Sequence, residues 1–135
     1  MIVLDENLLV LRLDNPIAAW YPGRVCSIIE LSPGMIIKDE SISQLLQRSK
    51  GATFVTTNVP DFWRRIQAHK RYGITCLSLP NERLRLVPEL LRRLLHTPEF
   101  KTKAARMGKV IRARRRQIQY YTTNSSRKYA LPWPD

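Results

Sequence analysis

Residues 2–7 read Ile2-Val3-Leu4-Asp5-Glu6-Asn7, and the fold turns on them. Ile2, Val3 and Leu4 form an unbroken apolar run that reads as a strand buried on both faces, as in a parallel sheet. Asp5 and Glu6 follow where that strand would leave the sheet. Open α/β folds bind ligands at the carboxyl ends of their strands. An acidic pair there suits a hard cation such as Mg2+, which takes oxygen ligands. The pair also suits a simpler role, because Asp is a common helix N-cap. This stretch alone leaves both readings open.

Further along, strand-like and helix-like stretches alternate. Leu8 to Ala19 clusters its apolar residues as a helix does, interrupted at Pro16. Residues 25–29 read as a second strand. Lys38-Asp39-Glu40 opens a helix whose apolar face is Ile42, Leu45 and Leu46, ended by Gly51. Residues 53–57 make a third strand. Asp61 is a plausible N-cap for a helix that Gly73 stops. Residues 74–79 make a fourth strand, and a helix starts near Pro88. The alternation through residue 96 predicts βαβ units and a three-layer α/β/α sandwich around a mainly parallel sheet of about four strands. Thr97-Pro98-Glu99 then starts a long basic helix running to about Gln119, with Phe100, Ala104, Met107 and Ile111 on one stripe. The predicted organisation is an α/β domain over 1–97, this C-terminal helix over 98–119 packed on the same domain, and an irregular tail over 120–135.

The 135-residue length suits a single domain. Cys26 and Cys76 lack metal-type spacing and sit in strand-like runs, so they read as buried reduced thiols in a cytoplasmic protein. The start lacks the basic region of a signal peptide, and no apolar run approaches the ~20 residues of a membrane helix. The charge is uneven. Residues 1–60 carry a net −1 and residues 61–135 a net +13, for +12 in all. A balanced front half joined to a basic back half points to a polyanionic partner, nucleic acid first, and an anionic membrane surface or an acidic protein partner also fits.

On the predicted scaffold the acids of the front half converge. Asp5 and Glu6 follow strand one, Asp39 and Glu40 open the helix after strand two, and Asn58 and Asp61 follow strand three. Crowded carboxylates repel, so a fold that gathers them holds a cation or raises a pKa. Divalent ions held there could serve phosphodiester cleavage. The sequence has no G-x-S-x-G elbow and no phosphate-binding glycine-rich loop to compete with this arrangement.

Three segments, in order, carry a resemblance: Leu4-Asp5-Glu6-Asn7-Leu8, then Asp39-Glu40-Ser41-Ile42, then Phe54 through Phe62 reading F-V-T-T-N-V-P-D-F. Together they resemble the PIN-like superfamily, most closely its compact branch related to VapC-type toxins and the Mut7-C ribonuclease domain. The likeness covers about residues 1–80. It implies a PIN-like fold and a Mg2+- or Mn2+-dependent endoribonuclease. It implies Asp5, Asp39 and Asp61 as the catalytic, metal-side carboxylates, Glu6 and Glu40 as auxiliaries, and Thr56 and Asn58 shaping the rim. It also implies RNA as substrate and leaves room for a toxin–antitoxin role, a cognate antitoxin partner and a homodimer. Asn58 stands where many relatives have an acid, which favours the alternative of an inactive PIN-like module that binds RNA or a protein.

The basic residues extend this reading. Arg64 and Arg65 follow the rim loop, where they suit either a grip on phosphate or an ordinary exposed helix face. Arg112, Arg114, Arg115 and Arg116 form a run suited to RNA phosphates.

Overall fold

The first strand, β1 (Ile2–Leu4), is buried along its whole length. It lies between β2 (Val25–Ser27) and β3 (Ala52–Thr56), parallel to both. The computed structural model describes residues 1–34, 39–123, 125 and 127–134, and only the backbone of Asp39 and Glu40. Parallel pairing continues outward from β3 to β4 (Tyr72–Leu77) and β5 (Lys109–Ala113). The chain then turns back through β6 (Ile118–Thr122) and β7 (Tyr129–Leu131), both antiparallel. Among the described residues the sheet thus has seven strands in the order β2-β1-β3-β4-β5-β6-β7.

Helices cover both faces. On one, α1 (Asp14–Ala18) and α5 (Val87–Leu95) bury Ile17, Leu91 and Leu94 against Ile2, Leu4, Val55 and Ile111. On the other, α3 (Asp39–Arg48) and the single turn α4 (Val59–Phe62) bury Ile42, Leu46 and Phe62 against Val3, Phe54, Ile74 and Val110. Burying a large apolar side chain such as Phe54 contributes about 1.5–3 kcal/mol. That two-sided cover is why β3 and β4 are buried at every position. No described helix is long and apolar enough to cross a membrane.

The α/β class expected from the sequence is observed, but the four-stranded, mainly parallel sheet is not. Five parallel strands are extended by an antiparallel pair. The long basic helix over 98–119 is also overturned. In its place are a turn at Pro98–Phe100, the short helix α6 (Lys103–Arg106), and the β5–β6 hairpin. Gly108, at φ 81, breaks any helix there. Of the residues on the expected helical stripe only Ile111 lies in a strand, where it enters one core while its neighbour Val110 enters the other. The tail expected to be irregular supplies most of β6 and all of β7.

Two smaller departures have local causes. The second strand stops at Ser27 because Ser27 caps α2 (Ile28–Leu31). Its hydroxyl accepts from the Ile29 N–H at 3.2 Å, and Glu30 accepts from the Ser27 N–H at 2.6 Å, a reciprocal capping box. The helix expected from Asp61 to Gly73 is one turn, with Asn58 and not Asp61 at the N-cap position. Gly73 lies within β4, where a Cβ would sit 2.6 Å from the Arg106 carbonyl oxygen, so only glycine allows α6 to lie this close.

Candidate functional site

The carboxyl edge of the parallel strands gathers several of the expected residues. Asp5 leaves β1 with its N–H donating to the Val55 carbonyl at 2.9 Å, which fixes it beside β3. One carboxylate oxygen accepts from the Glu6 N–H at 2.9 Å and caps the short turn Glu6–Leu8. The other accepts from the Thr56 hydroxyl at 2.7 Å. Asp5 therefore takes the N-cap role that its sequence context offered, at the carboxyl edge of the sheet.

Thr56, fully buried, relays the contact. Its hydroxyl oxygen accepts from the Asn58 N–H at 3.0 Å, and the Asn58 amide donates to Asp61 at 2.7 Å. Asp5, Thr56, Asn58 and Asp61 form one hydrogen-bonded chain across two loops. Glu6 is exposed at the start of its turn. The side chains of Asp39 and Glu40 lie outside the described residues, and their backbone opens α3. Among the described residues, no three His, Cys, Asp or Glu side chains gather closely enough to hold a metal ion. Asn7, absent from the expected site residues, adds an oxygen donor near this edge. Its amide nitrogen donates to the Thr57 hydroxyl at 3.0 Å, and its buried carbonyl oxygen has no hydrogen-bond partner among the described residues. Carboxylate and amide oxygens are the donor class that Mg2+ and Mn2+ take.

From Thr56 a row of side chains crosses the sheet. Thr56 pairs with Cys76, Cys76 with Arg112, and Arg112 with Gln119. With strands about 4.8 Å apart, Arg112 starts about 10 Å from Thr56. Its guanidinium bonds the Gln119 amide oxygen and lies 4.6 Å from the centre of the Trp63 ring. Trp63 packs at 5.2 Å on Tyr121, and Arg64 lies 5.3 Å over the far ring. Two arginines thus flank a pair of packed aromatic rings beside the rim. Arg64 adopts φ 65, a left-handed conformation that costs a bulky residue energy and often marks a functional position. Arg64 and Arg65 line a cleft of about 540 Å3 with Tyr121 and Ser125.

The arginine run is divided by the hairpin. Arg112 faces the row, Arg114 and Arg115 line a second cleft, and Arg116 faces a shallow depression beside β7. Burial, then the charge of Arg114, pulls the Arg112 pKa below its usual value. Burial pushes the Tyr121 phenol up to about 12, and its hydroxyl donates to the Ile66 carbonyl at 2.6 Å. Burial also pushes the Cys76 thiol up to about 12, with the Asp5 charge acting in the same direction and Arg112 opposing it.

No family model, curated protein or solved structure matches the chain. What the site can do rests on its own residues: a carboxylate held by a hydroxyl–amide chain, and a cation–aromatic surface suited to bases and phosphates.

Cys76 gives a direct check of this packing. A thiol with a pKa of about 12 exposes about one thiolate in ten thousand at pH 8, and Cys26, also buried, is shifted upward too. A chromogenic disulfide reagent at pH 8 is expected to find almost no reactive thiol in the native protein and both in urea. Because the folded pKa of Cys76 is raised from 9.0, the associated stability is whole below pH 9 and is lost as pH climbs toward 12. Rapid labelling of the native protein would show that the central row is open to solvent.

Proposed function

We propose that this chain binds RNA along the carboxyl edge of its sheet and cleaves it with the help of Mg2+ or Mn2+ near Asp5. The observation that carries this reading is the adjacency of the Asp5–Thr56–Asn58–Asp61 chain and the Arg112–Trp63–Tyr121–Arg64 stack. A divalent cation, when bound, supplies Lewis-acid polarisation of the phosphate and a lowered pKa for attacking water. Asp5 and Asn7 would contribute oxygen ligands, with Asp39 as the acid the PIN-like resemblance adds. Thr56 orients the Asp5 carboxylate through its hydroxyl. Arg112 and Arg64 would neutralise phosphate, while Trp63 and Tyr121 hold their guanidinium planes.

One feature favours the alternative, an RNA-binding module without cleavage. Asp61 is occupied by the Asn58 amide, a neutral group where a second acid would strengthen metal binding. The deciding experiment incubates end-labelled single-stranded RNA with the protein across a Mn2+ and Mg2+ series, with a gel-retardation arm in EDTA. Cleavage in millimolar metal and retention in EDTA are expected. Retention without cleavage at any metal concentration establishes the module. Absence of retention removes both readings.

A further inference from the structure

We propose that the second cleft, beside the β5–β6 turn, seats an unpaired nucleotide of single-stranded RNA. This deepens the RNA reading above but does not depend on cleavage.

The cleft opens at the same carboxyl edge as Asp5. Ser78 follows β4 and donates its N–H to the Ala113 carbonyl at 3.0 Å, closing one end against β5. Leu131 of β7 pairs with Ile118, which brings Trp133 to this edge too. The volume is about 540 Å3, within the range of small-molecule sites. Leu79, Leu86 and Leu90 give it apolar walls. Arg83, Arg93, Arg114 and Arg115 also line it, and none of the described lining residues is acidic.

The walls are held in place. The Trp133 indole N–H donates to the Arg114 carbonyl at 2.7 Å, and the Arg93 guanidinium lies 4.9 Å over the same ring. These contacts fix an aromatic plane and a cation before any ligand arrives. Among the described residues the one ion pair is Arg12 with Asp14, so no ion pair there engages these four guanidinium groups. An apolar, partly aromatic cavity ringed by guanidinium matches a ligand with a flat, weakly polar body and several negative oxygens. A nucleotide flanked by its phosphodiesters has that chemistry. The base must be unpaired to enter, so a duplex should be disfavoured. Arg112 of the Trp63 row lies in β5 directly before Ala113 and Arg114, which line this cleft, so one strand crossing the edge would engage both.

The test measures anisotropy of a fluorescein-labelled single-stranded oligoribonucleotide in EDTA, over a salt series. Leu86→Glu is informative because Leu86 is 41% exposed, so its replacement leaves folding intact while setting a negative charge on the cleft wall. Arg93→Ala combined with Arg115→Ala is the second variant. Each is expected to weaken binding by about tenfold, and the double alanine variant to flatten the log–log salt slope by about 1.4, or about 0.7 per lost contact. The same sequence annealed as a duplex should bind more weakly and be less sensitive to Leu86→Glu. A peptide of alternating Glu and Leu serves as competitor. Unchanged affinity in both variants, equal losses on duplex, or tighter binding of the peptide with the same variant pattern would each overturn the assignment. If the parent protein binds RNA but the variants match it, this inference fails and the RNA reading stands. If the variants weaken binding but metal never yields cleavage, the nuclease reading fails and this inference stands.

Discussion

Asp5→Asn is expected to lower metal-dependent RNA cleavage about a thousandfold while the melting temperature stays within a few degrees of the parent. Asparagine keeps the shape of the side chain and one oxygen to accept from the Glu6 N–H. It loses the charge and the second acceptor that meets the Thr56 hydroxyl. One hydrogen bond of this kind contributes about 1 kcal/mol, a minor fraction of the stability of a domain. The catalytic loss is larger, because a carboxylate that holds the cation stabilises charge in the transition state. Removing about 4 kcal/mol of that stabilisation corresponds to about three factors of ten. RNA affinity in EDTA should be unchanged or slightly higher, since a negative charge near phosphate has gone. Initial rates at saturating Mn2+, with a thermal melt of the same preparation, give both readouts. A variant that keeps more than a tenth of the parent rate would move the chemistry away from this rim.

The front half of the fold was legible because its signals are local. Ile2-Val3-Leu4 could be little other than a buried strand, and β3 and β4 announced themselves by β-branched runs. Ile28-Ile29 extends the apolar run of the second strand in sequence, but the Ser27-x-x-Glu30 capping box turns the chain into α2 there. The back half misled for a physical reason. Residues 100, 104, 107 and 111 keep helical spacing by chance, and the chain resolves the ambiguity only when a neighbouring edge is available. That edge is β4, which β5 joins in parallel and β6 and β7 then extend. Pairing partners far apart in sequence decide strand against helix there, and periodicity within one segment carries no trace of them.

The candidate site divides along the same line. Strand order put Asp5, Asn58 and Asp61 at one edge and the PIN-like resemblance added Thr56; these four share one hydrogen-bonded chain. The contacts of Arg112 with Trp63, and of Arg64 with Tyr121, required the β4–β5–β6 register and had no local signature. Trp133, Arg83 and Arg93 come from three separate elements and meet only because β7 ends beside the first turn of the β5–β6 loop. Asn7 was visible in the motif, yet its orphaned oxygen emerges only from the packing around it.

Arg106→Ala is expected to cost about 3–5 kcal/mol of stability. Arg106 is 3% exposed, and among the described residues none of its hydrogen-bond partners is a carboxylate. Its guanidinium donates to the Thr53 hydroxyl at 3.0 Å, to the Phe100 carbonyl at 3.0 Å, to the Lys101 carbonyl at 3.2 Å, and to the Tyr21 hydroxyl at 3.4 Å. Burial lowers its pKa, and contact with Tyr21 partly restores it. One side chain therefore ties the start of β3, the turn before α6 and the loop before β2 at the amino edge. Alanine leaves two carbonyls and a buried hydroxyl without donors and opens a void where the side chain lay. Arg106→Met should lose less than alanine, because it fills the space and removes the cost of burying a charge. Urea titration measures the difference: with a slope of about 2 kcal/mol per molar, a loss of 4 kcal/mol lowers the midpoint by about 2 M. Since Arg106 lies at the edge opposite Asp5, RNA affinity per folded molecule should not change. A midpoint within about 0.3 M of the parent would mean that these acceptors find other partners, and that the amino edge does not depend on its buried cation.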